Sequence, residues 1–329
     1  MIKLTKINKY LFHDNYKDNN FFNCIILKKY FIVFFKLNIL LYFFRFIIVQ
    51  YKLKNQKITY NLKGINNKNK IIRKNPKLLF NKYKQFIEEL PYYNHSHLIS
   101  KKIFWCWFQG EKNAPNISKA CLNSFFRFCK SHEIIIIREN NINQYVHFPP
   151  FILNKLKKKC FTNTHFSDLL RLELLIKYGG TWVDSTVLIT KYNDIFFNND
   201  LFFFQVPNSK FSAGSSWFIT AEKESPILKT TRDLLYDYWA KNDQIFDYYL
   251  FHFFLKMACN KYDKDYKNIP FYLNNPPHKL QFELFQPFKK SNYYYILNIS
   301  SIHKLTRKRM TNITRGLLYH HILEEFNSI

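Results

Sequence analysis

The stretch HFSDLLRLELLIKYGGTWVDST, residues 165–186, decides the reading of this chain. Its first half has leucines at helical spacing but carries Asp168 and Arg171, three apart and therefore on one face. Gly179-Gly180 then ends the helix in a backbone conformation that glycine adopts freely. The text resumes as a strand, TWV, interrupted at once by Asp184. A core helix running into a core strand needs none of these polar insertions. The tight turn aims Asp184 at the same cleft as the Asp168-Arg171 face. The plain alternative is a structural ion pair at the start of an amphipathic helix, with Ser167 as its N-cap.

The segments around this stretch alternate in type. IFWCWF and EIIIIRE read as strands; NISKACLNSFFRFCKSH and FILNKLKKK read as helices. Ile117, Ala120, Cys121, Ser124, Phe125 and Phe128 keep helical spacing, with Asn116 or Ser118 as the cap. Such alternation predicts an α/β fold with a mainly parallel sheet flanked by helices over residues 101–329. Ligands of these sheets bind beyond the carboxyl ends of the strands.

Residues 1–100 differ in composition and form a helical extension in this reading. FFNCIILKKYFIVFFKLNILLYFFRFIIVQ, residues 21–50, is long and apolar but broken by Lys28, Lys29, Lys36, Asn38 and Arg45. A Lys or Arg at a helix centre costs about 2.5–3.5 kcal/mol on insertion, against about 0.3–0.6 returned by each Leu, Ile or Phe. The sum is near balance, so a spanning helix, a membrane-surface helix and a helix packed on the rest stay open. Residues 55–97 form a polar connector with one helix, PKLLFNKYKQFIEEL. The first twenty residues have no apolar run leading to a cleavage site, so no cleavable signal is expected.

With 329 residues, 47% hydrophobic and 22% charged, the chain is foldable rather than disordered. The net charge of +27 invites a polyanion-binding reading. Yet 36 Phe and 23 Tyr beside 6 Gly suit a strongly AT-rich coding sequence whatever the function. Specific nucleic-acid binding is therefore not expected; attraction to anionic headgroups and to a nucleotide diphosphate is. The six cysteines show no C-x-x-C pair and read as small hydrophobes in a reducing compartment. No Walker loop, G-x-S-x-G elbow, H-E-x-x-H pair or G-x-G-x-x-G fingerprint is present.

The run SDLLRLELLIKYGGTWVDSTVL resembles the S-D-x-x-R…Y-G-G-x-[YW]-x-D-x-D signature of glycosyltransferases with a DXD-type sugar-binding region. It looks closest to their capsular polysaccharide synthesis branch, where the motif ends G-G-x-W-x-D-x-T. IFWCWFQGEKNAP, Ile103 to Pro115, is similar to the first strand and loop of that group. SSWFITAEKESPI, from Ser215, and DYYLFHFF, from Asp247, match more weakly. The resemblance spans roughly residues 100–310. It implies a GT-A-like fold and transfer of a sugar, with retention, from a nucleotide-sugar donor, commonly a UDP-sugar. The acceptor would be a growing bacterial surface polysaccharide or glycolipid, reached at the inner, cytoplasmic face of the plasma membrane.

Carried onto this chain, the resemblance puts Trp107 under the nucleotide base and Gly110 where the backbone approaches it. Asp168, Arg171 and Gly180 fall at the donor, with Asp184 opening the acidic triplet. The triplet's second acid is Thr186, a poorer ligand for a hard cation. Mn²⁺ or Mg²⁺ dependence is thereby in doubt: Asp184 would need Thr186, His303, His320 or His321 to help, or the KLTRKR segment, from Lys304, would neutralise the departing diphosphate. Trp217 and Asp247 are acceptor-side candidates, each with a plain alternative as strand edge and N-cap. His252 reads as a core histidine, and His278 lies in a proline-fixed turn. A catalytically degenerate relative and a basic polyanion-binding, membrane-associated protein are the rival readings.

Overall fold

The computed structural model describes residues 75–308 and 315–327. The apolar run at 21–50 lies outside the described residues. Among the described residues no helix is long and apolar enough to cross a membrane.

The elements follow the predicted alternation. The chain runs through α1 (Pro76–Glu89), β1 (Lys102–Cys106), α2 (Asn116–Phe128), β2 (Glu133–Ile137), α3 (Ile142–Tyr145) and α4 (Pro150–Lys157). The central block supplies α5 (Asn163–Tyr178), β3 (Gly180–Val183), β4 (Val187–Ile189), β5 (Leu201–Gln205) and β6 (Gly214–Ala221). It is followed by α6 (Pro226–Lys241), α7 (Leu250–Lys261), α8 (Asp263–Asn268), α9 (Lys279–Glu283), α10 (Lys290–Ile299), β7 (Ile302–Lys304) and α11 (Leu318–Asn327).

The main sheet has the order β2-β1-β3-β6-β5. β1 runs parallel to both β2 and β3, and β6 runs antiparallel to β3 and β5, so every strand but β6 points one way. The expected α/β sheet, mainly parallel and flanked by helices, is thus present. Alternate residues feed opposite faces, as period two requires. Phe104 and Trp182 pack with α1, α5, α6 and α7, while Ile103, Trp105 and Val183 pack on the other face. Burial on both faces explains why these strands are written as continuous apolar runs. Across β3 and β6 the polar pair Thr181 and Thr220 goes inward: the Thr181 hydroxyl donates to that of Thr220 at 2.8 Å, which donates to the Phe196 carbonyl at 2.6 Å.

α5 is apolar nearly all round, with Phe166, Leu169, Leu170, Leu172, Leu174, Leu175 and Ile176 buried. Ser167, the N-cap of the plain alternative, does not cap the helix: the helix begins at Asn163, Thr162 holds the N-cap position, and the Ser167 hydroxyl donates to the Thr164 carbonyl at 2.6 Å. Polar Asn163 and Thr164 extend the helix because they continue its one polar stripe. α2 likewise starts after Pro115 with no side-chain cap, instead of being capped by Asn116 or Ser118. The Pro115 carbonyl accepts the Ser118 N–H at 2.8 Å and the Lys119 N–H at 3.0 Å, which begins the helix.

Both glycines of the turn are compelled. Gly179 has φ +66° and Gly180 φ +97°. A Cβ on Gly180 would meet the Lys102 carbonyl oxygen at 2.4 Å, so the close pairing of β3 with β1 depends on its absence.

α1 belongs to the same packed body as the sheet. Asn75 caps it, Pro76 opens it, and Leu79, Tyr83 and Ile87 form its buried stripe, with the Tyr83 and Phe254 rings 4.8 Å apart. The loop after α1 is clasped at Glu222, just past β6. That carboxylate is fully buried, pairs with His95 Nδ1 and accepts the backbone N–H groups of Ser96 and His97. The other His95 nitrogen lies 3.1 Å from Asp265.

Candidate active site

The carboxyl ends of β1 and β3 open into a cleft of about 650 Å³. Because β1 and β3 are parallel neighbours with Trp105 opposite Val183, the residues just beyond them, Trp107 and Asp184, emerge at the same end. Both line the cleft. So do Thr164, Ser167 and Arg171, spaced three and four apart along the polar stripe of α5. The volume falls in the range of small-molecule sites. Among the described residues its charged lining consists of Arg171, Lys304, Arg307 and Lys308 against the single carboxylate of Asp184.

Arg171 organises the centre. One guanidinium nitrogen, Nη1, lies 3.1 Å from Asp168 Oδ1 and donates to the Ser216 carbonyl at 2.9 Å; the other, Nη2, lies 3.5 Å from Asp184 Oδ1. The guanidinium sits 5.2 Å from the centre of the Trp182 ring and 5.3 Å from that of Phe251. Planarity and multiple donors fit Arg, not Lys, to this place. The three polar groups singled out in residues 165–186 therefore converge. Asp168 is not among the residues lining the cleft and acts through Arg171, whereas Asp184 lines it directly.

The two carboxylates have opposite electrostatics. Burial raises the Asp168 carboxyl, Arg171 only partly offsets this and Asp184 adds to it, which leaves it at about 7. Burial also pushes Asp184 up, but Lys304 and Arg171, with hydrogen bonds from Lys304 and Trp182, outweigh it and hold the group at about 2. Trp182 Nε1 donates to Asp184 Oδ1 at 3.1 Å.

Lys304 comes from far away in the chain. β4 and β7 pair antiparallel with Val187 opposite Lys304, and the Leu305 N–H donates to the Thr186 carbonyl at 2.8 Å. This register sets Lys304 Nζ between the two triplet positions, donating to Asp184 Oδ2 at 2.9 Å and to Thr186 Oγ1 at 2.8 Å. A dication about 4 Å from that ammonium would be repelled by roughly 8 kcal/mol at an effective dielectric of 20.

The remaining expected residues divide. The Trp107 ring lines the cleft under the Arg307 guanidinium, 5.3 Å from its centre, and Trp107 Nε1 has no partner among the described residues. Gly110 does not line the cleft; its φ of +83° closes the Trp107–Gly110 turn, whose N–H to carbonyl bond is 2.9 Å. Next to it, hydrogen bonds from Arg138 hold the Glu111 carboxyl at about 2, against a smaller opposing effect of burial. Trp217 is buried, stacks on Phe204 and donates to Asn274, so it faces inward, away from the cleft lining. Asp247 is buried and accepts the Tyr249 N–H at 2.9 Å, a local cap before α7.

None of the histidines named for a cation lines the cleft. His303 is fully buried on β7, its basicity lowered to about 3 by burial. His320 and His321 lie on α11, where His321 stacks on Phe288. His252 is half-buried on α7 and lowered to about 4, by burial and then by Arg171. His278 meets the Trp217 ring edge-on. Four lining residues escaped the sequence reading: Asn163, Thr164, Tyr248 and Gln281. Only Tyr248 left a signal, since DYYLFHFF places two tyrosines just before an apolar helix.

Residues 52–322 match the family described as capsular polysaccharide synthesis protein. The chain belongs to that family. Membership supports sugar transfer in general for this chain. No curated protein matches it. Among solved structures it is similar to the PaToxG glycosyltransferase, at 13% identity, TM-score 0.39, over 68% of this chain and 84% of that one. It is also similar to the apo-form glycosyltransferase GlyE of Streptococcus pneumoniae TIGR4, at 11% identity and TM-score 0.37, covering 70% of this chain and 61% of that one.

Proposed function

We propose that the cleft binds a nucleotide-sugar donor, a UDP-sugar, and transfers its sugar with retention to a growing surface polysaccharide or glycolipid. One observation carries this reading: a cleft lined, among the described residues, by four cations and one carboxylate opens beyond β1 and β3, in a chain of a capsular polysaccharide synthesis family. Trp107 stacks on the base, and Arg307, already over its ring, closes on the diphosphate. Asp184, ionised at neutral pH, accepts hydrogen bonds from donor hydroxyls. Arg171 forks onto the sugar or its phosphate, and Asp168 is its positioning residue. Tyr248, largely exposed at the rim, offers the acceptor sugar a flat apolar face.

In the reaction the bond between the anomeric carbon and the diphosphate oxygen breaks, and its electron pair stays on the diphosphate. The acceptor oxygen bonds to the same carbon, and its proton passes to the departing diphosphate. Positive charge at the cleft stabilises the anion as it forms. The basic surface keeps the enzyme at the inner face of the plasma membrane through anionic headgroups.

The test is a panel of UDP-, GDP- and dTDP-sugars, assayed for donor hydrolysis with wild type and Asp184→Asn. One preferred donor, with turnover lost in the variant, supports the reading. Donor binding without hydrolysis, unchanged in the variant, selects a catalytically degenerate relative.

A further inference from the structure

The cation of this site is a residue of the chain. We propose that the Lys304 ammonium takes the place of the divalent metal that the DXD pattern implies, neutralising the departing diphosphate, so that the enzyme works without a metal ion. This rests on the donor reading above and names the charge that serves it.

Three observations converge on Lys304. The first is position: its Nζ lies 2.9 Å from Asp184 Oδ2 and 2.8 Å from Thr186 Oγ1, the two triplet side chains that would otherwise share an ion. The second is charge. Two carboxylates with a dication sum to zero, and so do one carboxylate, one hydroxyl and one ammonium. Thr186 and Lys304 are thus matched: removing the second acid removes the charge that would require a dication, and the ammonium balances the acid that remains. The third is coordination. A hard dication needs about six oxygen ligands, and here one Asp184 oxygen is held by Lys304 while Trp182 and Arg171 hold the other. The residues present therefore do not fit a divalent ion.

Lys304 keeps capacity for substrate. An ammonium has three N–H donors; two are committed to Asp184 and Thr186, and the third has no acceptor among the described residues. Lys304 lines the cleft together with Arg307 and Lys308. A diphosphate entering there meets one N–H already oriented by β7 and two further cations. Lys304 supplies charge and a hydrogen bond to the leaving oxygen throughout and transfers no proton. Its orientation is set before substrate arrives, which is the condition for electrostatic stabilisation to favour the transition state.

The experiment uses the full chain and reads binding of UDP, GDP and inorganic pyrophosphate by calorimetry, and hydrolysis of the preferred donor, each with excess EDTA or with Mn²⁺. Wild type is expected to bind and turn over equally in both conditions. Lys304→Met keeps the stem and removes the charge; it is expected to weaken diphosphate binding more than 10-fold and turnover about 100-fold, the cost of one such donor. Lys304→Arg should retain part of both. The double variant Thr186→Asp/Lys304→Met restores the acidic pair and is expected to regain at least 10-fold turnover with Mn²⁺ and to lose it in EDTA. Thermal melts check that each variant folds. Wild-type turnover abolished by EDTA and restored by Mn²⁺ overturns the inference and leaves the donor reading standing, as does wild-type behaviour of Lys304→Met. No diphosphate binding and no turnover by wild type under either condition overturns the donor reading and this inference with it.

Discussion

Asp168 lies 3.1 Å from Arg171 on the same helix, yet its carboxyl titrates near 7 because burial outweighs that pairing. The folded value lies above the ordinary one, so the group's contribution to stability is full below about 4 and is lost as pH rises through about 7. Asp168→Asn mimics the neutral acid and should erase this slope. Measured by urea unfolding, its stability relative to wild type is expected to improve from pH 5 to pH 8.5 by a few kcal/mol, at about 1.4 kcal/mol per unit of pKa. A parallel pair of profiles would refute it.

Arg171 is shared by two carboxylates: its loss leaves Asp168 without an ion-pair partner, while Asp184 keeps Lys304 and Trp182. Arg171→Leu should destabilise the fold by about 3–5 kcal/mol, the usual cost of leaving a buried charge unpaired. Arg171→Lys keeps the charge but loses the fork that reaches Asp168, Asp184 and the Ser216 carbonyl together. It should fold and bind donor weakly, with turnover down about 100-fold. Circular dichroism and donor hydrolysis separate the two effects.

The clasp at Glu222 predicts a second pH dependence, of the same sign and remote from the cleft. Burial lowers His95, but its hydrogen bonds to the Glu222 and Asp265 carboxylates outweigh it and raise its pKa. That contribution is present below the ordinary histidine value and is lost as pH rises through the folded one. Thermal stability should decline between pH 6 and 9, and Glu222→Gln should flatten the decline while lowering stability throughout, because a buried acceptor of two backbone N–H groups is weakened.

Gly180→Ala places a methyl 2.4 Å from the Lys102 carbonyl at φ +97°. The expected cost is about 3 kcal/mol or more, combining backbone strain with a clash that separates β3 from β1. Gly110→Ala meets nothing nearer than 3.8 Å and should cost less, about 1–2 kcal/mol from φ alone. Denaturant midpoints of the two variants give the comparison.

The local pattern of residues 165–186 was legible because it is self-contained. Helical spacing of leucines, two adjacent glycines and an acid directly after three strand residues specify a helix, a turn and a carboxylate at a strand's end. That Asp168, Arg171 and Asp184 meet follows from this geometry between residues 168 and 184. The burial of Trp217 and Asp247 was not legible. A tryptophan on a strand or an acid before a helix reads the same whether its neighbour is solvent or, as here, Phe204 and the Tyr249 N–H.

The amino-acid sequence by itself determined the alternation of strands and helices, the compelled turn at Gly179-Gly180 and the absence of a second acid at Thr186. Only the tertiary structure decided which cation answers that absence. Lys304 stands 118 residues from Thr186, and nothing in the spacing of KLTRKR distinguishes it from the other basic residues around it. The β4–β7 register selects it, because backbone pairing fixes which side chain lies beside Asp184. Local periodicity records how each segment is buried, not which distant segment buries it.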